Sequence, residues 1–146
     1  MKVARVAEAS IGDRSKYAYW NGTQWVAKPP AAANQVSNIF DYNVGGYGPG
    51  TGDIFWSAYF GTWLAVFFDG LSPNGTFRLM YSTNGKITGP WSTYQNLYVT
   101  RGCSGCGVSY NYASHAYPGV DRTGKTLLLG WTFNGAYTQF TTVTFQ

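Results

Sequence analysis

Charge is scarce in this chain. Its 146 residues carry ten Lys or Arg and six Asp or Glu, 11% in all. Disordered, self-repelling segments need far more charge and less apolar content. The net charge is +4, but the basic residues are scattered: Lys2, Arg5, Arg14, Lys16, Lys28, Arg78, Lys86, Arg101, Arg122 and Lys125. A nucleic-acid interface tracks phosphates with several clustered cations. No nucleic-acid partner is expected. Long apolar runs are also missing, since none approaches the roughly 20 residues of a membrane-spanning helix. No membrane partner is expected. There are only two Cys and one His. A closed zinc site needs four ligands, so no metal is expected, and no cofactor motif is present. Amphipathic helical periodicity is absent as well, which excludes a helical bundle.

What is present points to strands. Aromatic residues make up 18% and Gly numbers 19. Tyr, Trp, Phe, Thr and Val with many Gly suit short strands joined by tight turns. The length fits one domain. Ser15–Trp20 alternates and meets Asn21-Gly22, a hairpin signal, before Thr23–Val26 returns. Pro29-Pro30-Ala31-Ala32-Ala33 breaks the chain. Residues 43–52, NVGGYGPGTG, read as a Gly-rich loop. It has no Gly-Lys-Ser/Thr element and no following helix, so it does not cradle phosphate.

Four strands follow in succession. Asp53–Tyr59 and Thr62–Phe68 are joined by Phe60-Gly61. The second run, TWLAVFF, is apolar on both faces and should be buried on both sides. Thr76–Ser82 sets Phe77, Leu79 and Tyr81 against Arg78 and Met80. Gly89-Pro90-Trp91 leads into Ser92–Val99. The pattern then recurs: Ser57-Ala58-Tyr59-Phe60-Gly61 and TWLAVFF match His115-Ala116-Tyr117-Pro118-Gly119 and KTLLLGW, with an offset of 58 residues for Ala-Tyr-x-Gly. Gln139–Phe145 takes the role of residues 76–82. Repeats of four antiparallel strands are the signature of propeller blades. The expected fold is all-β in a single domain: 1–30 the end of one blade, 50–100 a full blade, 108–146 most of a further blade.

Several elements carry a family resemblance: Ala4-Arg5-Val6; Asp13-Arg14-Ser15-Lys16-Tyr17; Tyr19-Trp20-Asn21-Gly22; Ile87-Thr88-Gly89-Pro90-Trp91; and His115-Ala116-Tyr117-Pro118-Gly119 with Asp121, Thr123-Gly124-Lys125 and Trp131-Thr132. In order and spacing they resemble five-bladed β-propeller glycosidases of the arabinanase type. The resemblance implies a secreted, carbohydrate-active protein with its site at a central channel. The chain holds about two and a half blades. It is either a C-terminal fragment of such a ring or a half-propeller that closes by homo-oligomerisation, since two such chains would make five blades.

Glycosidases need an acid and a base or nucleophile, usually two carboxylates. The chain offers Glu8, Asp13, Asp41, Asp53, Asp69 and Asp121. Asp69 and Asp121 sit in turns, where Asp binds its own backbone. Asp53 opens an innermost strand and is the catalytic candidate, with Asp41 or another chain as its partner. The stretch CSGCGVSYNYASHAYPG holds Cys103, Cys106 and the one His. A zinc half-site lacks its second pair, and a thioredoxin-type motif lacks a βαβ setting. A local disulfide between Cys103 and Cys106 remains, fixing the shape of a loop that leads to Tyr110, Tyr112 and His115. Aromatic faces and an imidazole suit sugar rings and hydroxyls. Tyr110, Tyr112, His115 and Trp56 are therefore the expected sugar contacts, with plain packing as the competing role. Asn21-Gly22-Thr23 and Asn74-Gly75-Thr76 are glycan acceptor sequons. With few charges and close cysteines, they make an extracellular location the expectation. The alternatives to hydrolysis are a lectin-like glycan-binding module and a fragment that acts by self-assembly.

Overall fold

The structure, a computed structural model, describes residues 1–40, 51–69, 75–102 and 111–146. It is all-β. Among the described residues ten strands form three antiparallel meanders, taken in chain order. The first sheet joins β1 (Ala4–Arg5), β2 (Ala18–Trp20) and β3 (Trp25–Val26). The second joins β4 (Thr51–Ser57), β5 (Thr62–Phe68), β6 (Thr76–Tyr81) and β7 (Gln95–Val99). The third joins β8 (Tyr112–Tyr117), β9 (Thr126–Phe133) and β10 (Tyr137–Thr144). Among the described residues helical structure is limited to short 3-10 turns such as Gln35–Ser37 and Pro118–Val120. No described helix is long and apolar enough to cross a membrane. The sheets are consistent with partial propeller blades, and no barrel closes among the described residues.

The middle sheet is covered on both faces, as TWLAVFF requires. Val66 and Phe68 of β5 and Phe77 of β6 pack on Ala116, Leu127, Leu129 and Trp131 of the third sheet. On the other face Ala65, Phe67 and Met80 meet Ile39, Phe40, Val3 and Trp20. The pleat sends alternate residues of one strand into two different cores. Edge-to-face rings lock the first core: Phe77 lies 5.0 Å from Phe68 and 5.9 Å from Trp131. Gly75 makes room for it, because a Cβ there would come within 1.9 Å of the Phe68 ring. A buried polar chain ties the sheets at one end. Thr100 donates to the Gly75 carbonyl, Asn111 donates to Thr100, and the Asn134 amide donates to Asn111.

Two local expectations change. The turn after β2 is placed one residue later than Asn21-Gly22 predicts: Trp20 pairs with Trp25 and the Asn21 amide donates to the Gln24 carbonyl, leaving Gly22 and Thr23 at the tip. The Asn21 side chain takes the amides of Thr23 and Gln24, which holds this turn. The Ala-Tyr repeat also falls on unlike places. Ala58 and Tyr59 lie in the turn after β4, whereas Ala116 and Tyr117 end β8 itself.

Phe77 is fully buried and faces two aromatic partners. Phe77→Ala should cost about 3–5 kcal/mol through lost contacts and a residual cavity. Denaturant unfolding monitored by Trp fluorescence checks this. A loss below about 1 kcal/mol would mean that the second and third sheets do not share one core.

Candidate functional site

β4 and β8 are the inner edge strands of their sheets, and they lie side by side. Thr51 Oγ1 is 2.8 Å from Ser114 Oγ and accepts the Ser114 amide at 2.9 Å. Two residues further along both strands, the Ala116 amide donates to Asp53 Oδ2 at 2.7 Å. Partner numbers rise together, so β4 and β8 run in the same direction. That common direction is consistent with propeller-type blades.

Asp53 Oδ2 also lies 3.3 Å from His115 Nδ1. The Asp53 side chain is 33% exposed and the imidazole 54%. An Asp–His pair at two neighbouring edges can bind a hydroxyl. Asp53 is already engaged by a backbone donor, so part of its role is to join the blades.

β8 carries the feature that shapes the site. Tyr112 pairs with Thr132 and His115 pairs with Gly130, so three steps on β8 match two on β9. This is a bulge of one residue. In a regular strand Tyr112 and His115, three apart, would point to opposite faces. The bulge brings Tyr112, His115 and Tyr117 onto the face turned away from the second sheet, while Ser114 and Ala116 stay buried. Ala113 takes up the irregularity at φ 50°, a left-handed conformation unusual for a residue with a Cβ. No Gly or Asn marks the bulge, so periodicity could not locate it. His115 lies 6.3 Å from Tyr117, and Tyr117 lies 6.1 Å from Phe140. Tyr117 and Phe140 extend the aromatic row beyond the residues the sequence singled out.

Trp56 does not join this group. It is 50% exposed and packs edge-on against Trp63, its cross-strand partner. It lines a separate cleft of about 260 Å³ with Ala58, Pro118, Asp121 and Arg122, whose described lining includes neither Asp53 nor His115. The other described carboxylates do local work. Asp69 accepts the Thr76 amide and pairs with Arg78. The Thr123 amide and hydroxyl hold the Asp121 carboxyl below the usual range, helped by the Thr126 amide. Asp13 is lowered by the Ser15 hydroxyl and amide. Glu8 sits in an exposed 3-10 turn. Asn21 is partly buried with its side-chain oxygen committed to the turn. Among the described residues no three His, Cys, Asp or Glu side chains gather as metal ligands. Asp41, Asn74, Cys103, Cys106 and Tyr110 lie outside the described residues.

No protein-family model matches the chain, and no curated protein matches it.

The Asp53 clamp is directly testable. Asp53→Asn keeps an acceptor for the Ala116 amide, whereas Asp53→Ala leaves that donor unmet. Loss of a hydrogen bond to a charged acceptor at a partly exposed site should cost about 1–2 kcal/mol in the Ala variant. The Asn variant should stay close to the parent. Equal losses in both, read from urea midpoints, would show that charge rather than the clamp matters.

Proposed function

We propose that this protein binds carbohydrate through the row of Tyr112, His115 and Tyr117 on β8, with Asp53 beside it. The observation that supports this reading is the bulge at Ala113. Strained backbone of this kind persists only where its surroundings hold it, and it clusters at ligand sites. Its effect is to set two Tyr rings and an imidazole on one exposed face. Tyr offers a flat apolar ring with a hydroxyl at its tip. The imidazole and carboxylate supply donors and acceptors for sugar hydroxyls. The resemblance to arabinanase-type propellers points to the same ligand class. It also fits an extracellular location, where Asn21 and Asn74 would be glycan acceptors.

Binding is favoured over hydrolysis. A glycosidase needs two carboxyl groups, roughly 5–10 Å apart. Among the described residues the inner strands bring Asp53 alone to the site. The protein is therefore read as a lectin-like module built on propeller-type sheets. Titration calorimetry against neutral oligosaccharides, arabino-oligosaccharides included, tests this. His115→Ala and Tyr117→Ala should each weaken binding at least tenfold with unchanged far-UV circular dichroism. Asp53→Asn should bind nearly as the parent does. Binding indifferent to His115→Ala would remove the site. Release of reducing sugar, abolished by Asp53→Asn, would restore the hydrolase reading.

One observation favours a second reading, assembly of half-propellers into a ring. The middle sheet is buried on both faces, but the third is buried on one. Its open face carries Leu128, Tyr117 and Phe140, the last 56% exposed. A second copy stacked there would bury them, and it would compete with sugar for Tyr117. Light scattering should then give a mass that is a multiple of the chain's 16.0 kDa and rises with concentration. Phe140→Glu should return the monomer. A monomer at every concentration excludes this assembly.

A further inference from the structure

Among the described residues the third sheet has one strand fewer than the second, which runs β4-β5-β6-β7, whereas the third ends at β10. Among them β10 is an edge of eight residues, YTQFTTVT. Natural edges carry Lys, Pro, bulges or inward charges that block further pairing. β10 has no charge and no Pro, and its register with β9 is unbroken from Tyr137 to Thr144.

Phe145, the residue that follows β10, lines a groove of about 830 Å³ on the face of the second sheet turned to the third. Leu64, Leu79, Tyr81 and Leu97 of the second sheet form its floor, and Phe60 and Phe145 close one side. None of its described lining residues is charged. These are residues of the face that the third sheet covers elsewhere. They stay open where a fourth strand of that sheet would lie. The C-terminal end of the β10 ladder and an apolar floor thus meet at Phe145.

We propose that β10 accepts one further strand in antiparallel pairing, supplied by a separate polypeptide, with its alternate side chains filling this groove. Strand addition draws affinity from the main-chain ladder and selectivity from pockets for alternate side chains. The neutral floor selects a neutral, apolar inward face. The chain itself shows what a fourth strand here looks like. β7, with Gln95, Asn96, Leu97, Tyr98 and Val99, fills that place in the second sheet and has no charged residue. A second copy pairing β10 to β10 about a two-fold axis does not fit. The second sheet overhangs the third by one strand, about 4.8 Å. Each copy would drive its own β7 into the space that the other's β6 occupies. The gap takes one strand, not a sheet. This inference does not rest on the carbohydrate reading, since it uses neither His115 nor Tyr112.

The probe is a labelled synthetic peptide with the sequence of residues 92–100, STYQNLYVT, tested on the full chain by fluorescence anisotropy and amide hydrogen exchange. Saturable binding is expected, at least tenfold tighter than for a scrambled peptide. Protection should rise across residues 137–144. Tyr81→Glu, at a side chain 43% exposed, should weaken binding tenfold or more without unfolding the protein. Phe60→Glu, 45% exposed, is the second variant, should the first lose its thermal transition. Equal binding of scrambled peptide, or binding untouched by both variants, overturns the proposal. So does protection that falls in residues 95–99, which would mean that the peptide displaces β7. Self-association abolished by Tyr81→Glu, with no peptide bound, assigns the groove to a second copy and overturns it equally.

Discussion

The two-sided burial of β5 is the constraint on which the remaining structure depends. One strand feeds two cores: Val66 and Phe68 point to the third sheet, Ala65 and Phe67 to Ile39, Phe40 and Trp20. Burying a large apolar side chain gives about 1.5–3 kcal/mol, and here that gain is available only if both covering layers are in place. A two-layer fold would leave one half of the strand in water. The third sheet therefore has to stand against the second, and its standing there is what brings the edge of β8 to the edge of β4. Without that packing Asp53 would have no Ala116 amide and no His115 nearby.

Apolar packing alone would allow the sheets to slide. The contacts between β4 and β8 remove that freedom. Thr51 with Ser114 and Asp53 with Ala116 advance by two residues on each strand, so any slip of one residue breaks both. In an antiparallel partner the same slip would turn every side chain to the other face. The bulge depends on this register. Ser114 and Ala116 are held inward, Ala113 absorbs the extra residue in a left-handed conformation, and Tyr112 swings to the side of His115. A strained position is tolerated because hydrogen bonds on its C-terminal side define where the chain must go.

Much of the fold was legible because it follows from patterns of residue type. β5 matches the apolar run in both ends, and the meander order follows from the turns. Asp53 stands on the inner edge for the same reason. The repeat was harder to place. Matching TWLAVFF to KTLLLGW aligns Val66 with Leu129, yet Val66 faces the third sheet and Leu129 faces the second. Propeller-type blades present equivalent residues the same way round. Val66 therefore corresponds to Leu128 or Gly130 in the pleat, and likeness of residue type runs one residue out of phase with it. The bulge was invisible for a related reason, since Ala113 carries no mark of a positive φ. Trp56 was expected with Tyr110, Tyr112 and His115, but it lies three residues from Asp53 on a regular strand, which puts it on the other side.

The third sheet is left incomplete in two directions, and the two are physically independent. Its outer face, with Leu128, Tyr117 and Phe140, could be covered only by another layer about 10 Å away. Its β10 edge could be completed only by a strand in the plane of the sheet, about 4.8 Å away. A layer stacked on the outer face would leave the groove over Leu79 and Leu97 open, because that groove lies on the opposite face. A strand added to β10 would widen the outer face rather than cover it. The middle sheet shows both conditions met at once, four strands and two buried faces. What the third sheet lacks relative to it among the described residues is thus one strand and one neighbour, two separate binding opportunities with different chemistry: a hydrogen-bonded ladder over a neutral floor, and an aromatic surface with a polar inner rim.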